Sequence, residues 1–193
     1  MTDSSDKELI LALQDGSLDA LGVLYDRYRQ LVYRTALAIV GDTEAASDLL
    51  QDVFLRLHRF ADRIDPQRPI EPWLYRMTAN LSYTWVKRRN RWIRPLEDLA
   101  EWIAGAHRNF PYEQAERNDE WEQVQKAVSA LPLPQRVVVV LYYLNDLSLQ
   151  EIAEILDVPV GTVKSRLHYG RQTLKKSLKL SGEGLPDFNY KST

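Results

Sequence analysis

The sequence predicts an all-α protein: two small helical domains joined by a flexible linker, the C-terminal one with a helix-turn-helix. Three observations carry this. Apolar residues recur at three- and four-residue spacing from Leu9 to Phe60, from Trp73 to Trp85 and from Val124 to Leu174, the pattern of amphipathic helices. Between Glu97 and Glu122 composition changes to eight acidic and two basic residues with Gly105, Asn109 and Pro111, which marks a boundary. From Leu147 to Lys179 the chain reads as two short helices around a tight turn.

The bulk numbers set limits. A chain of 193 residues makes one ordinary domain or two small ones, and 45% apolar content suits a folded protein. With no cysteine, disulfides, Cys-ligated zinc and thiol catalysis are excluded. MTDSSDKE does not read as a signal peptide, and the longest apolar run, Val137 to Leu144, is too short to span a bilayer. A cytoplasmic protein without membrane insertion is expected. Net charge is only −2, so any case for nucleic acid rests on how the charge is distributed.

In chain order, Ser5 and Glu8 form a capping box before Leu9, Ile10 and Leu13, and Asp15-Gly16-Ser17 breaks that helix. A helix from Leu18 to Val40 follows, with Leu21, Leu24, Tyr28, Leu31, Val32 and Ile39 at helical spacing; Gly41 ends it and Asp42 or Thr43 caps the next. That next helix buries Ala46, Leu49, Leu50, Val53, Leu57 and Phe60 and shows Glu44, Asp48, Gln51 and Asp52 on its polar side. Pro66, Pro69 and Pro72 make Ala61 to Ile70 a loop. Pro72 opens a long helix running to about Trp92, anchored by Trp73, Leu74, Met77, Leu81 and Trp85, and Pro95 stops the helix. A short helix around Leu96 to Ile103 is expected in the acidic stretch. A helix restarts near Asn118 with Trp121, Val124, Val128 and Leu131. The four valines from Val137 have strand character but no partner strand, so Gln135 to Asn145 reads as a buried helix. The expected divisions are 6–94, an acidic linker 95–117, 118–180 and a tail 181–193.

The helix-turn-helix is built from Ser148 and Glu151 as a capping box, then Ile152, Ile155 and Leu156 on one face. Ala153 is small where a second helix crosses, Asp157 sits where a left-handed residue is needed, Val158 plugs the turn and Pro159 suits a first turn. Val163, Leu167 and Leu174 mark the buried side of the second helix. Thr162, Lys164, Ser165, His168, Tyr169 and Arg171 mark its free side. From Val158 to Gly182 there are six Lys or Arg and no Asp or Glu, which favours a DNA-binding helix over a solvated hairpin, because solvated faces mix signs.

Two other surfaces stand out. KRRNRWIR, Lys87 to Arg94, holds five basic residues in eight and follows Trp73, Tyr75, Tyr83 and Trp85. Cations for phosphates and flat rings for unstacked bases suit a single strand; the competing reading puts most of the rings, Trp73 and Trp85 above all, in the core. The acidic face of Glu44, Asp48 and Asp52, with His58 further on, is a metal site, a solvated face or a docking face by residue type alone. The absence of a repeated Glu-x-x-His pair argues against a di-metal site.

Four stretches together resemble one family, the extracytoplasmic-function sigma factors of bacteria: LYDRYRQLVYRTALAIVGD (24–42), ASDLLQDVFLRLHRF (46–60), PWLYRMTANL (72–81) and LSLQEIAEILDVPVGTVKSRLHYGRQTLKK (147–176). The resemblance covers nearly everything from Asp6 to Lys179. It implies that the two halves are sigma domains 2 and 4. Asp48, Gln51, Asp52 and Leu55 would dock on the beta-prime clamp helices of core RNA polymerase. Asp62, Arg63, Ile64 and Asn80, with Lys87, Arg88 and Arg91 along the backbone, would hold the opened strand of the minus-ten element of promoter DNA. Thr162, Lys164, Ser165, Arg166, His168, Tyr169 and Arg171 would engage the minus-thirty-five element, with Arg166 and Arg171 on phosphate or on the polymerase beta flap. The acidic linker would thread toward the RNA exit path. An anti-sigma factor is a further implied partner, and no catalytic residue, metal or cofactor is implied. Pro72 and Thr84 depart from the family pattern. The competing readings are a stand-alone helix-turn-helix regulator with a helical sensor domain, and a helical metal-dependent hydrolase using Asp48, Asp52 and His58.

Overall fold

Helix caps written in the sequence set where four of the elements begin in the computed structural model, which describes residues 4–92 and 119–180. Among these residues every regular element is helical: α1 (Asp6–Gln14), α2 (Leu18–Val40), α3 (Thr43–Arg59), a 3₁₀ turn (Ala61–Arg63), α4 (Glu71–Trp92), α5 (Asp119–Ser129), α6 (Leu133–Tyr143), α7 (Leu149–Leu156) and α8 (Val160–Leu180). The helix expected at Leu96 to Ile103, the remainder of the linker, the tail 181–193 and the side chains of Arg91, Trp92 and Trp121 lie outside the described residues.

Both capping boxes form: Ser5 accepts from the Glu8 N–H while Glu8 accepts from the Ser5 N–H, and Ser148 and Glu151 do the same at α7. Ser17 caps α2 and Asp42 caps α3. Gly41 ends α2 in the left-handed conformation at φ 69°, where a Cβ would be strained. Arg56, His58 and Arg59 in the last turn of α3 suit its negative end. The valine run is helical, and Val137 to Leu141 are all buried, so burial rather than β-propensity decides their state. The turn between α7 and α8 is made by Asp157 at φ 54°, ψ 51°.

α2 is the spine of the N-terminal half. Leu24, Tyr28 and Val32 pack with α1, the end of α3, the following loop and Leu74 of α4, while Ala36 and Val40 pack with Ala45, Ala46, Leu49 and Val86. Trp73 and Trp85, expected as core anchors, are half-buried at the rims of these two separate clusters. Twelve residues on a helix turn the second ring about 120° from the first, so the two cannot share a face. In the C-terminal half α8 lies across α5, α6 and α7. The two halves also join: Ala38 and Ile39 of α2 and Tyr75 and Ala79 of α4 share one buried cluster with residues of α5 to α8.

Candidate nucleic-acid interface

Three surfaces collect the residues singled out in the sequence, and each is set by a buried opposite face. On α3, Ala45, Ala46, Leu49, Val53, Phe54 and Leu57 are buried. The helical period then turns Asp48, Gln51, Asp52 and Leu55 outward together, all four exposed. Leu55 is 65% exposed, an apolar tip beside two carboxylates and an amide. An apolar side chain this exposed on a helix whose opposite face is core is available for a partner to cover. His58 is exposed on the same helix, and among the described residues no three His, Asp or Glu side chains converge where a metal could sit.

The loop after α3 is pinned from below. Ala61, Ile64 and Ile70 are buried, and the Gln14 side-chain amide donates to the Ala61 carbonyl at 3.0 Å and the Ile64 carbonyl at 2.9 Å. Asp65 accepts from the Gln67 N–H at 2.9 Å. The loop therefore projects Asp62, Arg63, Gln67 and Arg68 into solvent. Arg59 and Arg63 stand 5.8 and 5.3 Å from the Phe60 ring centre, which stacks two cations at the loop mouth. Ile64, expected at the strand, is 7% exposed, and its side chain anchors the loop in the core. Gln14 was missed, because a lone glutamine at the end of a helix carries no sequence signal.

On α4, Asn80, Lys87 and Arg88 are exposed, with Arg76 and Thr84 on the same side. Lys87 lies over the Tyr83 ring at 4.8 Å. The basic run divides by role. Arg89 bonds Asp42 at 2.8 Å and stacks on Trp85 at 5.1 Å, so it ties α4 to the α3 cap. Thr84, one of the two departures from the family pattern, turns its hydroxyl back to the Asn80 carbonyl at 2.8 Å. Tyr75 is buried, while Trp73, Tyr83 and Trp85 are half-buried.

On α8, Val163, Leu167 and Leu174 face the core, which leaves Lys164, Ser165, His168 and Tyr169 exposed and Thr162, Arg166 and Arg171 half-buried at the edges. Lys164 and His168 are four apart and lie one above the other. Gln172 holds the His168 Nε2 at 3.0 Å, and the His168 ring meets the Tyr169 ring edge-on at 5.5 Å. Gln172 was missed by sequence reasoning, although its i+4 spacing from His168 was there to be read. Gly170 was missed as well. A Cβ there would lie 2.8 Å from a Val139 methyl, so the glycine lets α8 sit close on α6. A cationic, hydrogen-bonding helix face held at a fixed height above a rigid three-helix base fits a DNA major groove.

Comparison with known proteins gives a consistent answer. Residues 24–92 match the family model Sigma-70 region 2, and residues 121–174 match Sigma-70, region 4. The chain is 32% identical over 184 residues to the ECF RNA polymerase sigma factor SigW of Bacillus subtilis (strain 168), covering 90% of this chain and 96% of that one. Its fold is similar to CnrH in complex with the cytosolic domain of CnrY, at a TM-score of 0.66, 23% identity and coverage of 92% and 99%. It is also similar to the sigma factor RpoE in complex with the anti-sigma factor NepR from Bartonella quintana, at 0.63, 20% identity and coverage of 81% and 94%.

Proposed function

The chain belongs to the extracytoplasmic-function RNA polymerase sigma factors, which recognise promoters through regions 2 and 4, and from that premise we propose how its surfaces divide the work. Such a factor is a transcription initiation factor that binds core polymerase; it is not an enzyme. In this reading the α3 face of Asp48, Gln51, Asp52 and Leu55 docks on the beta-prime clamp helices. The observation that carries it is Leu55, 65% exposed in the middle of a helix whose other face is core. An exposed leucine ringed by polar groups is the kind of anchor a partner buries.

The pinned loop and α4 hold the non-template strand of the minus-ten element. Asp62, Arg63 and Asn80 stand at the mouth, and Lys87, Arg88 and Arg91 follow the backbone. A flipped base costs a few kcal/mol to unstack, and a loop whose backbone is fixed by Gln14 is pre-ordered to receive it. Lys164, Ser165, His168 and Tyr169 read base edges of the minus-thirty-five element. Thr162, Arg166 and Arg171 flank them on phosphate or on the polymerase flap. Residues 6–94 and 118–180 act as the two working units, with 95–117 as the tether and 181–193 as a tail. A cytoplasmic protein held in check by an anti-sigma factor is consistent with the fold shared with RpoE, which is seen bound to one.

The test is transcription by core RNA polymerase from a library of bacterial promoter fragments, with and without the protein. New transcripts sharing two spaced elements are expected. No binding to core and no new transcripts, or promoter protection on symmetric sites by the protein alone, would overturn the assignment.

A further inference from the structure

α1 lies ahead of the region 2 match, which begins at residue 24. Its inner side, Leu9, Ile10 and Leu13, is buried in one cluster with Leu24 and Tyr28 of α2, with Ala61, Ile64 and Ile70 around the loop after α3, and with Leu74 of α4. Both ends of α1 also make polar contacts, and these reach opposite ends of that loop. At the C-terminal end, the Gln14 amide donates to the Ala61 and Ile64 carbonyls. At the N-terminal end, Asp6 accepts from the Tyr28 hydroxyl, which stands 3.3 Å from a carboxylate oxygen of Glu71, the first residue of α4. Arg27 donates to Asp6 and, at 2.8 Å, to the Ser4 carbonyl, which fixes Asp6 from its other side. Burial, and after it the bond to Asp6, raises the Tyr28 pKa, so the hydroxyl keeps its proton in this bridge.

Lengths fit this division. Asp6 and Gln14 stand at the first and last positions of α1, about 12 Å apart at about 1.5 Å per residue. The segment from Ala61 to Ile70 could reach about 33 Å if extended, so its ends need an outside restraint. The bonds within it are local: the Arg63, Ile64 and Arg68 N–H groups donate to the Phe60, Ala61 and Asp65 carbonyls. Such bonds shape turns and leave the distance between the two ends free. A rigid helix held at both ends sets that distance. Asp6 and Glu71 each sit in the first turn of a helix, where a carboxylate is favoured. The Tyr28 hydroxyl between them joins the start of α1 to the start of α4.

We propose that α1 is a brace for the strand-capturing loop: Gln14 holds the loop where it leaves α3, and the Asp6–Tyr28–Glu71 bridge holds it where it enters α4. Tyr28 is then a positioning residue for minus-ten recognition, although at 8% exposure it cannot touch the strand itself. Asp62, Arg63 and Asn80, all exposed, face the strand from a frame whose two ends are fixed. The link to the strand rests on the sigma-factor reading; the brace itself rests on the contacts alone.

Two variants release one end each. Gln14→Leu keeps most of the side chain's bulk and removes both loop bonds. Tyr28→Phe keeps the ring in the core and removes the hydroxyl bridge. Hydrogen exchange in the free protein reads the amides of Arg63, Ile64 and Arg68, which are bonded within the loop. Exchange about tenfold faster at Arg63 and Ile64 in Gln14→Leu, and about threefold faster at Arg68 in Tyr28→Phe, is expected from the loss of two hydrogen bonds and of one, with amides inside α3 and α8 unchanged. Unchanged loop exchange in both variants overturns the brace. A change in Gln14→Leu alone overturns the Tyr28 anchor, and faster exchange throughout the protein overturns a positioning role. With core polymerase bound, the same proteins are assayed on single-stranded minus-ten oligonucleotides carrying each base in turn at the captured position. The spread of affinities among the bases should narrow about threefold in each variant, while co-elution with core and binding of minus-thirty-five duplex stay as in wild type. An unchanged spread overturns the link to strand capture, because a merely structural loss moves all bases together. If the wild type neither co-elutes with core nor transcribes, the sigma-factor reading falls, and exchange in the free protein still decides the brace.

Discussion

Replacing Gly170 by alanine sets two opposing effects against each other at the recognition helix. Within a helix, Gly→Ala gains about 1 kcal/mol from backbone propensity. At this position, however, the new methyl would lie 2.8 Å from Val139 Cγ2. Val139 is only 3% exposed and sits inside α6, where a β-branched side chain has one strongly preferred rotamer, so its methyl cannot swing away. Overpacking of this kind costs about 1–3 kcal/mol. The net expectation for Gly170→Ala is a loss of about 0–2 kcal/mol, or up to about 8 °C in Tm at about 2–4 °C per kcal/mol for a chain of this size. Val139→Ala alone removes two buried carbons and costs about 2 kcal/mol. In the double variant the alanine at 170 fills part of that space, so the two changes couple favourably, by about 1–2 kcal/mol. Urea denaturation of the four proteins measures the cycle. A rise in stability for Gly170→Ala, with no coupling to Val139, would refute the close approach of α8 to α6. The same variant tilts the recognition helix, so it should weaken minus-thirty-five preference while leaving co-elution with core unchanged.

The remaining predictions are briefer. Asp48→Arg with Asp52→Arg abolishes co-elution with core polymerase; both residues are exposed, so circular dichroism and Tm stay near wild type, and retained co-elution contradicts the docking face. Lys164→Ala with His168→Ala lowers discrimination among upstream elements by about 1–3 kcal/mol for each base no longer read, seen as promoter ranking in the transcription assay; an unchanged ranking contradicts base reading. Gln14→Leu frees the Ala61 and Ile64 carbonyls, loosens the loop and slows open-complex formation, measured by permanganate reactivity of the minus-ten strand, with minus-thirty-five binding intact; an unchanged opening rate contradicts the role given to the pinned loop. Ser148→Ala costs about 1 kcal/mol, and the pH profile identifies the cause. The Ser148 hydroxyl and backbone N–H hold the Glu151 pKa below its ordinary value. That contribution is present above the unfolded pKa and is lost as pH falls through the depressed folded one. The gap between wild type and Ser148→Ala should therefore narrow in acid, and a gap that stays constant down to the lowest pH rules out the capping box as its source.

Much of the site could be read in the sequence because its signals are local. A capping box, a glycine or aspartate in the left-handed region, and a helical stripe each depend on residues within a few positions of one another. For the same reason, exposure of Asp48, Gln51 and Asp52 followed from the helical stripe of α3, whereas Leu55 was singled out only by the family resemblance. Less local features were not legible in this way. Ile64 drew attention by its place in the loop, and only packing against α1 and α4 shows that its side chain points inward. Arg89 belonged to a basic run, and only the approach of α4 to the α3 cap assigns it to Asp42.

By itself, then, the sequence determined the helices, their caps, the turn of the helix-turn-helix and the faces that carry charge, because each is decided over one or two helical turns. Tertiary structure decided how close α8 lies to α6 at Gly170, which amide pins the loop after α3, and that regions 2 and 4 share a buried surface through Ile39, Tyr75, Arg136 and Asn145. Those contacts join residues up to 110 positions apart, as at Thr35 and Asn145. No periodicity or spacing along the chain encodes a distance that long; it is set only when the helices pack.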